Sequence, residues 1–81
     1  MPKTVFITGA STGIGYATAQ LFHQKGWNVV ATMRSPEKVA DLAQLDNVLC
    51  LPLDVTDFSS IQPAIDAALA RFAAIDVLVN N

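Results

Sequence analysis

Residues 8–15 read Thr8-Gly9-Ala10-Ser11-Thr12-Gly13-Ile14-Gly15. Just before them, Thr4-Val5-Phe6-Ile7 is β-branched and aromatic, which predicts a buried strand over residues 4–8. After them, Ile14, Ala17, Leu21 and Phe22 recur at the i, i+3, i+7, i+8 spacing of one helix face. Glycines therefore separate a strand from a helix. At such a junction they supply positive φ and let a ligand approach the backbone closely. The helix starting near Gly13 to Gly15 aims its free N–H groups and positive dipole end into the same space, which suits a phosphate or pyrophosphate. Ser11 and Thr12 add hydroxyl donors. A tight turn without a ligand is the plainer alternative, and the strand–loop–helix setting argues against it.

The alternation continues along the chain. Lys25-Gly26 has the composition of a helix end, and Trp27 is expected to pack over it. Asn28 to Met33 predicts a second strand. Ser35-Pro36 predicts the N-cap and first residue of a short helix, with Val39, Leu42 and Ala43 as its buried stripe. Val48 to Leu53 predicts a third strand, whose Pro52 fits an edge position or a strand end. Asp57 or Ser59 then caps the longest helix, to about Ala73; Ser59 and Gln62 have capping-box spacing, which leaves Pro63 in the first turn. The last segment, Ile75 to Asn81, is a continuous apolar run that predicts a strand buried on both faces. Strands separated by helices of this length run parallel through right-handed crossovers. The expected architecture is α/β, a doubly wound parallel sheet ordered 3-2-1-4, with ligands at the switch point between strands 1 and 4.

Composition narrows the functional classes. The chain has 81 residues, 52% of them hydrophobic and 15% charged, with a formal net charge of -2. One domain at most is expected, and residues 1–81 read as part of a dinucleotide-binding domain. No basic run offers a footprint for nucleic acid. The single Cys50 excludes an internal disulfide and reads as a buried structural thiol. His23 has no cysteine or second histidine for a metal site, and Asp41 and Asp46 read as solvated. The N-terminal apolar run is too short for a signal peptide, and no stretch approaches membrane-spanning length. A cytoplasmic location without membrane contact is the expectation.

The spacing of the loop is G-x-x-x-G-x-G rather than the common G-x-G-x-x-G. In this form Thr8 to Gly15 resembles the cofactor loop of the classical short-chain dehydrogenases/reductases. The resemblance continues through Leu53-Asp54-Val55-Thr56, and Asp76-Val77-Leu78-Val79-Asn80-Asn81 looks like the start of that family's N-N-A-G motif. It covers essentially the whole chain. One departure is Ala73, where the family often has glycine before the fourth strand.

The resemblance implies a nicotinamide dinucleotide held by Gly9, Ser11, Thr12, Gly13, Ile14 and Gly15. It further implies that Asp54 bonds the adenine amine, that the Val55 backbone lines the adenine pocket, and that Asn80 and Asn81 border the adenosine ribose. In NAD-specific folds an acid at the end of the second strand bonds the ribose 2′-OH. Here Thr32-Met33-Arg34 holds no acid, and Arg34 stands with Ser35 beside it and Lys38 a turn further on. A guanidinium forks onto a phosphate that a carboxylate would repel. NADP is therefore favoured, with NAD as the alternative.

The family transfers hydride between nicotinamide and an alcohol or carbonyl substrate, using a tyrosine, a lysine four residues later, and a serine. The one tyrosine, Tyr16, is followed four residues on by Gln20, so it does not match that pair. No catalytic residue is assigned, and the chain alone is expected to be inactive. The end within N-N-A-G favours the N-terminal part of an NADP-dependent oxidoreductase, whose relatives commonly form homo-oligomers. The alternative is an autonomous, non-catalytic nucleotide-binding or self-associating module.

Overall fold

A computed structural model describes residues 2–81. Strand β1 (Thr4–Ile7) leads through the glycine loop to helix α1 (Gly13–Gln24), followed by β2 (Asn28–Met33). A 3-10 turn (Pro36–Val39) runs into α2 (Ala40–Ala43), then β3 (Val48–Pro52). A second 3-10 turn (Phe58–Ser60) precedes α3 (Ile61–Phe72), and β4 (Val77–Val79) closes the sheet. The four strands lie in the order β3-β2-β1-β4, all pairs parallel. The chain reverses its direction of travel across the sheet between β1 and β4, and that switch point faces the glycine loop.

Alternate residues of each strand feed two cores. Val5, Ile7, Val29 and Ala31 pack under α1 and α2, against Ala19, Val39 and Leu42. Phe6 and Val30 pack on the other face, against Ala64 and Ala68 of α3. Pro52 falls at the end of the edge strand β3, where a missing N–H is tolerated. Trp27 meets Phe22 edge-to-face at 4.8 Å between ring centroids and seals the end of α1 as expected. No helix among the described residues is long and apolar enough to cross a membrane.

Several local expectations are corrected. Most of the apolar stripe of α1 does not face the sheet: Ile14 is 77% exposed and Leu21 52%, and Ala17 is exposed, while Phe22 packs partly against the core and Gly15 and Ala19 are buried. The cause is the loop, which presses Gly15 against Gly9 and so fixes the rotation of the helix. Successive residues lie about 100° apart around a helix, so burying Gly15 turns Ile14 outward. The segment after Ser35 is a 3-10 turn with four α-helical residues; Ser35 makes no side-chain cap and Ala43 is exposed. Asp57, not a Ser59–Gln62 box, caps the turn before α3, accepting from the Ser59 N–H at 3.1 Å. Gln62 instead donates to Asp66. Cys50 is half-buried, and burial raises its thiol pKa, with Asp41 adding to the rise. Asp41 is exposed but accepts a hydrogen bond from the Tyr16 hydroxyl.

β4 is not buried on both faces. It pairs with β1 alone, and Leu78 is 65% exposed. A strand with one neighbour among the described residues keeps an open edge. Ala73 caps α3 in the left-handed region, φ 70°, while donating its N–H to the Leu69 carbonyl. The conformation usual for glycine is thus kept by alanine.

Candidate dinucleotide site

The site is built where β1 ends. Gly9 and Gly13 take φ of 62° and 60°, which lets the loop double back before α1. Gly15 is required for a different reason. A Cβ there would overlap the Gly9 carbonyl oxygen and lie 2.7 Å from the Asn81 amide nitrogen. The loop and the end of β4 therefore close on one glycine.

Hydrogen bonds around Thr8 hold this junction. The Thr8 N–H donates to the Val79 carbonyl at 3.0 Å, and its hydroxyl accepts from the Asn81 N–H at 2.9 Å and donates to Asn80 Oδ1 at 3.3 Å. The Asn81 amide donates to the Gly9 carbonyl at 3.1 Å. On the other side, the Ala10 N–H donates to the Thr32 carbonyl and the Thr32 hydroxyl to the Ile7 carbonyl. Sequence reasoning overlooked Thr8 and Thr32 as braces. Their only signal was a polar residue at a strand's end, which is common.

At the start of α1, Thr12 occupies the N-cap position without a side-chain cap bond, and the first turn has no acid. Its N–H groups and positive dipole end thus stay available to an anion. Beside the loop lies a cavity of about 320 Å³ lined by Gly9, Ser11, Arg34, Ser35, Val55 and Asn81, with Met33, Lys38 and Leu53 completing its wall. Six of the sequence-derived residues meet there. Thr12, Gly13, Ile14 and Gly15 form the adjoining loop and helix start.

Asp54 and Asn80 lie elsewhere. Asp54 borders a neighbouring hollow with Arg34 and Ser60, and its Oδ1 accepts from both the Thr56 hydroxyl at 2.6 Å and the Thr56 N–H at 2.9 Å. These bonds, with Arg34 as a smaller contributor, hold its carboxyl below the usual range. Arg34 Nε stands 3.8 Å from Asp54 Oδ1. Asn80 borders an apolar hollow between β4 and α3, with Phe6, Ile65 and Leu78.

A nicotinamide dinucleotide fits these residues. Two glycines turn the loop, a third admits no side chain, an uncapped helix start faces the loop, and two cations flank the cavity. A model of the short chain dehydrogenase family matches residues 3–81. The chain belongs to this family. It is 46% identical over 81 residues to a short-chain dehydrogenase of Penicillium crustosum, covering 98% of this chain and 30% of that protein. A short-chain dehydrogenase structure from Streptomyces avermitilis superposes with a TM-score of 0.91 at 38% identity, covering all of this chain and 31% of the other. The 3-ketoacyl-(acyl-carrier-protein) reductase of Brucella melitensis, solved with NADH, gives 0.88 at 31% identity, covering 94% of this chain and 32% of that one. The chain thus spans about a third of the length of these short-chain dehydrogenases. The family membership, the parallel sheet and its order all agree with the sequence reading.

Proposed function

We propose that this chain is the N-terminal cofactor-binding portion of an NADP-dependent oxidoreductase. The observation that carries the reading is the shared wall of one cavity: Arg34, Ser35 and Lys38 stand beside Gly9 and Ser11, and apolar Met33 ends β2 where an NAD site has an acid. The start of α1, with Ser11 and Thr12, receives the pyrophosphate. Arg34 and Ser35 bind the ribose 2′-phosphate. Arg34 leaves only a long, exposed ion pair with Asp54 to do so, and such pairs contribute little. Asp54, from the neighbouring hollow, and the Val55 backbone contact the adenine, and Asn81 borders its ribose, whereas Asn80 faces the apolar hollow beside α3. When bound, the dinucleotide supplies hydride exchange with an alcohol or carbonyl carbon.

The tyrosine–lysine pair and the serine that family resemblance implies are not among residues 1–81. We therefore assign the chain binding and not turnover, with homo-oligomerisation, a cytoplasmic location and the small-molecule substrate belonging to the whole protein. Adenosine 2′,5′-bisphosphate and 5′-AMP differ only in the 2′-phosphate, so calorimetry with both tests the cofactor assignment directly. Binding of the bisphosphate at least about tenfold tighter is expected from a charge-assisted arginine contact. Equal affinity would move the assignment to NAD, and no binding of either would leave the self-associating module as the reading.

A further inference from the structure

We infer that the Tyr16–Asp41 hydrogen bond is a latch that sets affinity for the 2′-phosphate, by fixing the segment that carries Lys38 against α1. This rests on the NADP reading of the cavity. The segment consists of the 3-10 turn Pro36–Val39 and the four-residue α2, and neither Ser35 nor Val39 caps it with a side chain. A helix so short cannot hold itself in water, and its placement comes from tertiary contacts. Val39 and Leu42 pin it from below, into the core beneath α1 and α2. Both anchors are buried, on the inner side of the segment. The Tyr16 hydroxyl donating to Asp41 Oδ2 is the bond that spans from α1 to the outer side.

The geometry connects two anion sites. Tyr16 follows Gly15 directly, in the first turn of α1, whose start faces the pyrophosphate. Lys38 lines the same cavity as Arg34 and Ser35, and its N–H donates to the Ser35 carbonyl at 3.1 Å. Among the described residues the ion pair is Arg34 with Asp54, so Lys38 has no carboxylate to give up. A lysine ammonium is a point charge on a flexible stem, and fixing the backbone that bears it lowers the ordering cost of binding. Tyr16 is thus a positioning residue that acts through Lys38.

Calorimetry on the wild-type chain, Y16F, K38Q and the double variant, with adenosine 2′,5′-bisphosphate and 5′-AMP, separates the roles. Hydrogen–deuterium exchange over residues 36–43 reports the latch itself. In Y16F, bisphosphate affinity should fall about fivefold, the scale of one lost hydrogen bond, while AMP affinity holds. Exchange over the segment should rise, and Y16F should lose its effect in the K38Q background. Equal losses for both ligands, or a full Y16F loss on top of K38Q, would overturn the latch. A bisphosphate preference that Y16F leaves undiminished would overturn the latch alone. A wild-type chain with no such preference would overturn the cofactor reading, and the latch with it.

Discussion

The Asn81 side-chain amide donates to the Gly9 carbonyl at 3.1 Å, joining the end of the fourth strand to the first glycine of the loop. The same amide nitrogen is one of the atoms that leave no room for a Cβ on Gly15. Two segments some seventy residues apart in sequence therefore meet at one junction.

Gly15→Ala and Gly13→Ala should differ more in ligand binding than in stability. At Gly15 the new Cβ meets backbone, and overpacking of this kind costs about 1–3 kcal/mol or displaces the helix. At Gly13 nothing lies within 4 Å, so only the left-handed φ opposes alanine, at about 1–2 kcal/mol. Urea unfolding together with AMP binding checks this. G15A should lose ligand binding along with stability, and a G15A chain that binds normally would refute the close approach.

Arg34→Asp should reverse cofactor preference. The substitution removes the guanidinium from the cavity edge and puts a carboxylate near the place where NAD sites carry one. The ratio of kcat/KM for NADPH over NADH, measured in the whole enzyme, should fall at least about tenfold. An unchanged ratio would remove Arg34 from the site.

Ala73→Gly should stabilise the chain. Alanine at φ 70° bears the left-handed penalty, and glycine relieves it at some entropic cost, for a net gain of about 0.5–1 kcal/mol. A higher midpoint in thermal or urea unfolding is expected. A lower midpoint would mean that the Ala73 methyl contributes packing that outweighs the strain.

The Tyr16–Asp41 bond gives stability a defined pH window. The bond raises the Tyr16 phenol pKa above its ordinary value, aided by burial and the Asp41 charge, and lowers that of the Asp41 carboxyl. The tyrosine contribution is complete below its unfolded pKa and disappears as pH rises through the folded one. The aspartate contribution is present above its unfolded pKa and disappears as pH falls through the folded one. Melting curves of wild type and Y16F should therefore differ near neutrality and converge at both extremes. A pH-independent difference would show that Tyr16 acts through packing.

Leu78→Lys should keep the chain monomeric. Leu78 is exposed on a strand whose outer edge has no partner among the described residues, and charge on such an edge opposes strand pairing. Sedimentation at rising concentration should show association in the wild type and none in the variant. Association that survives the substitution would point to another surface, such as the exposed Ile14 and Leu21 of α1.

What the sequence determined by itself was the order of elements, their parallel sense and the family. These rest on local chemistry: β-branched runs make strands, and glycines at a strand–helix junction make an anion cradle. Arg34 and the absent acid were legible for the same reason, since position along β2 fixes what reaches the cavity. Tertiary structure alone decided the rotation of α1, because backbone contact at Gly15 outranks the apolar spacing of Ile14, Ala17 and Leu21. It also decided the exposure of β4, since burial depends on neighbours and not on the strand's own hydrophobicity. The Thr8 brace and the Tyr16–Asp41 bond belong to this second class. They join residues at least 25 positions apart, and no local pattern encodes such pairs until the sheet brings them together.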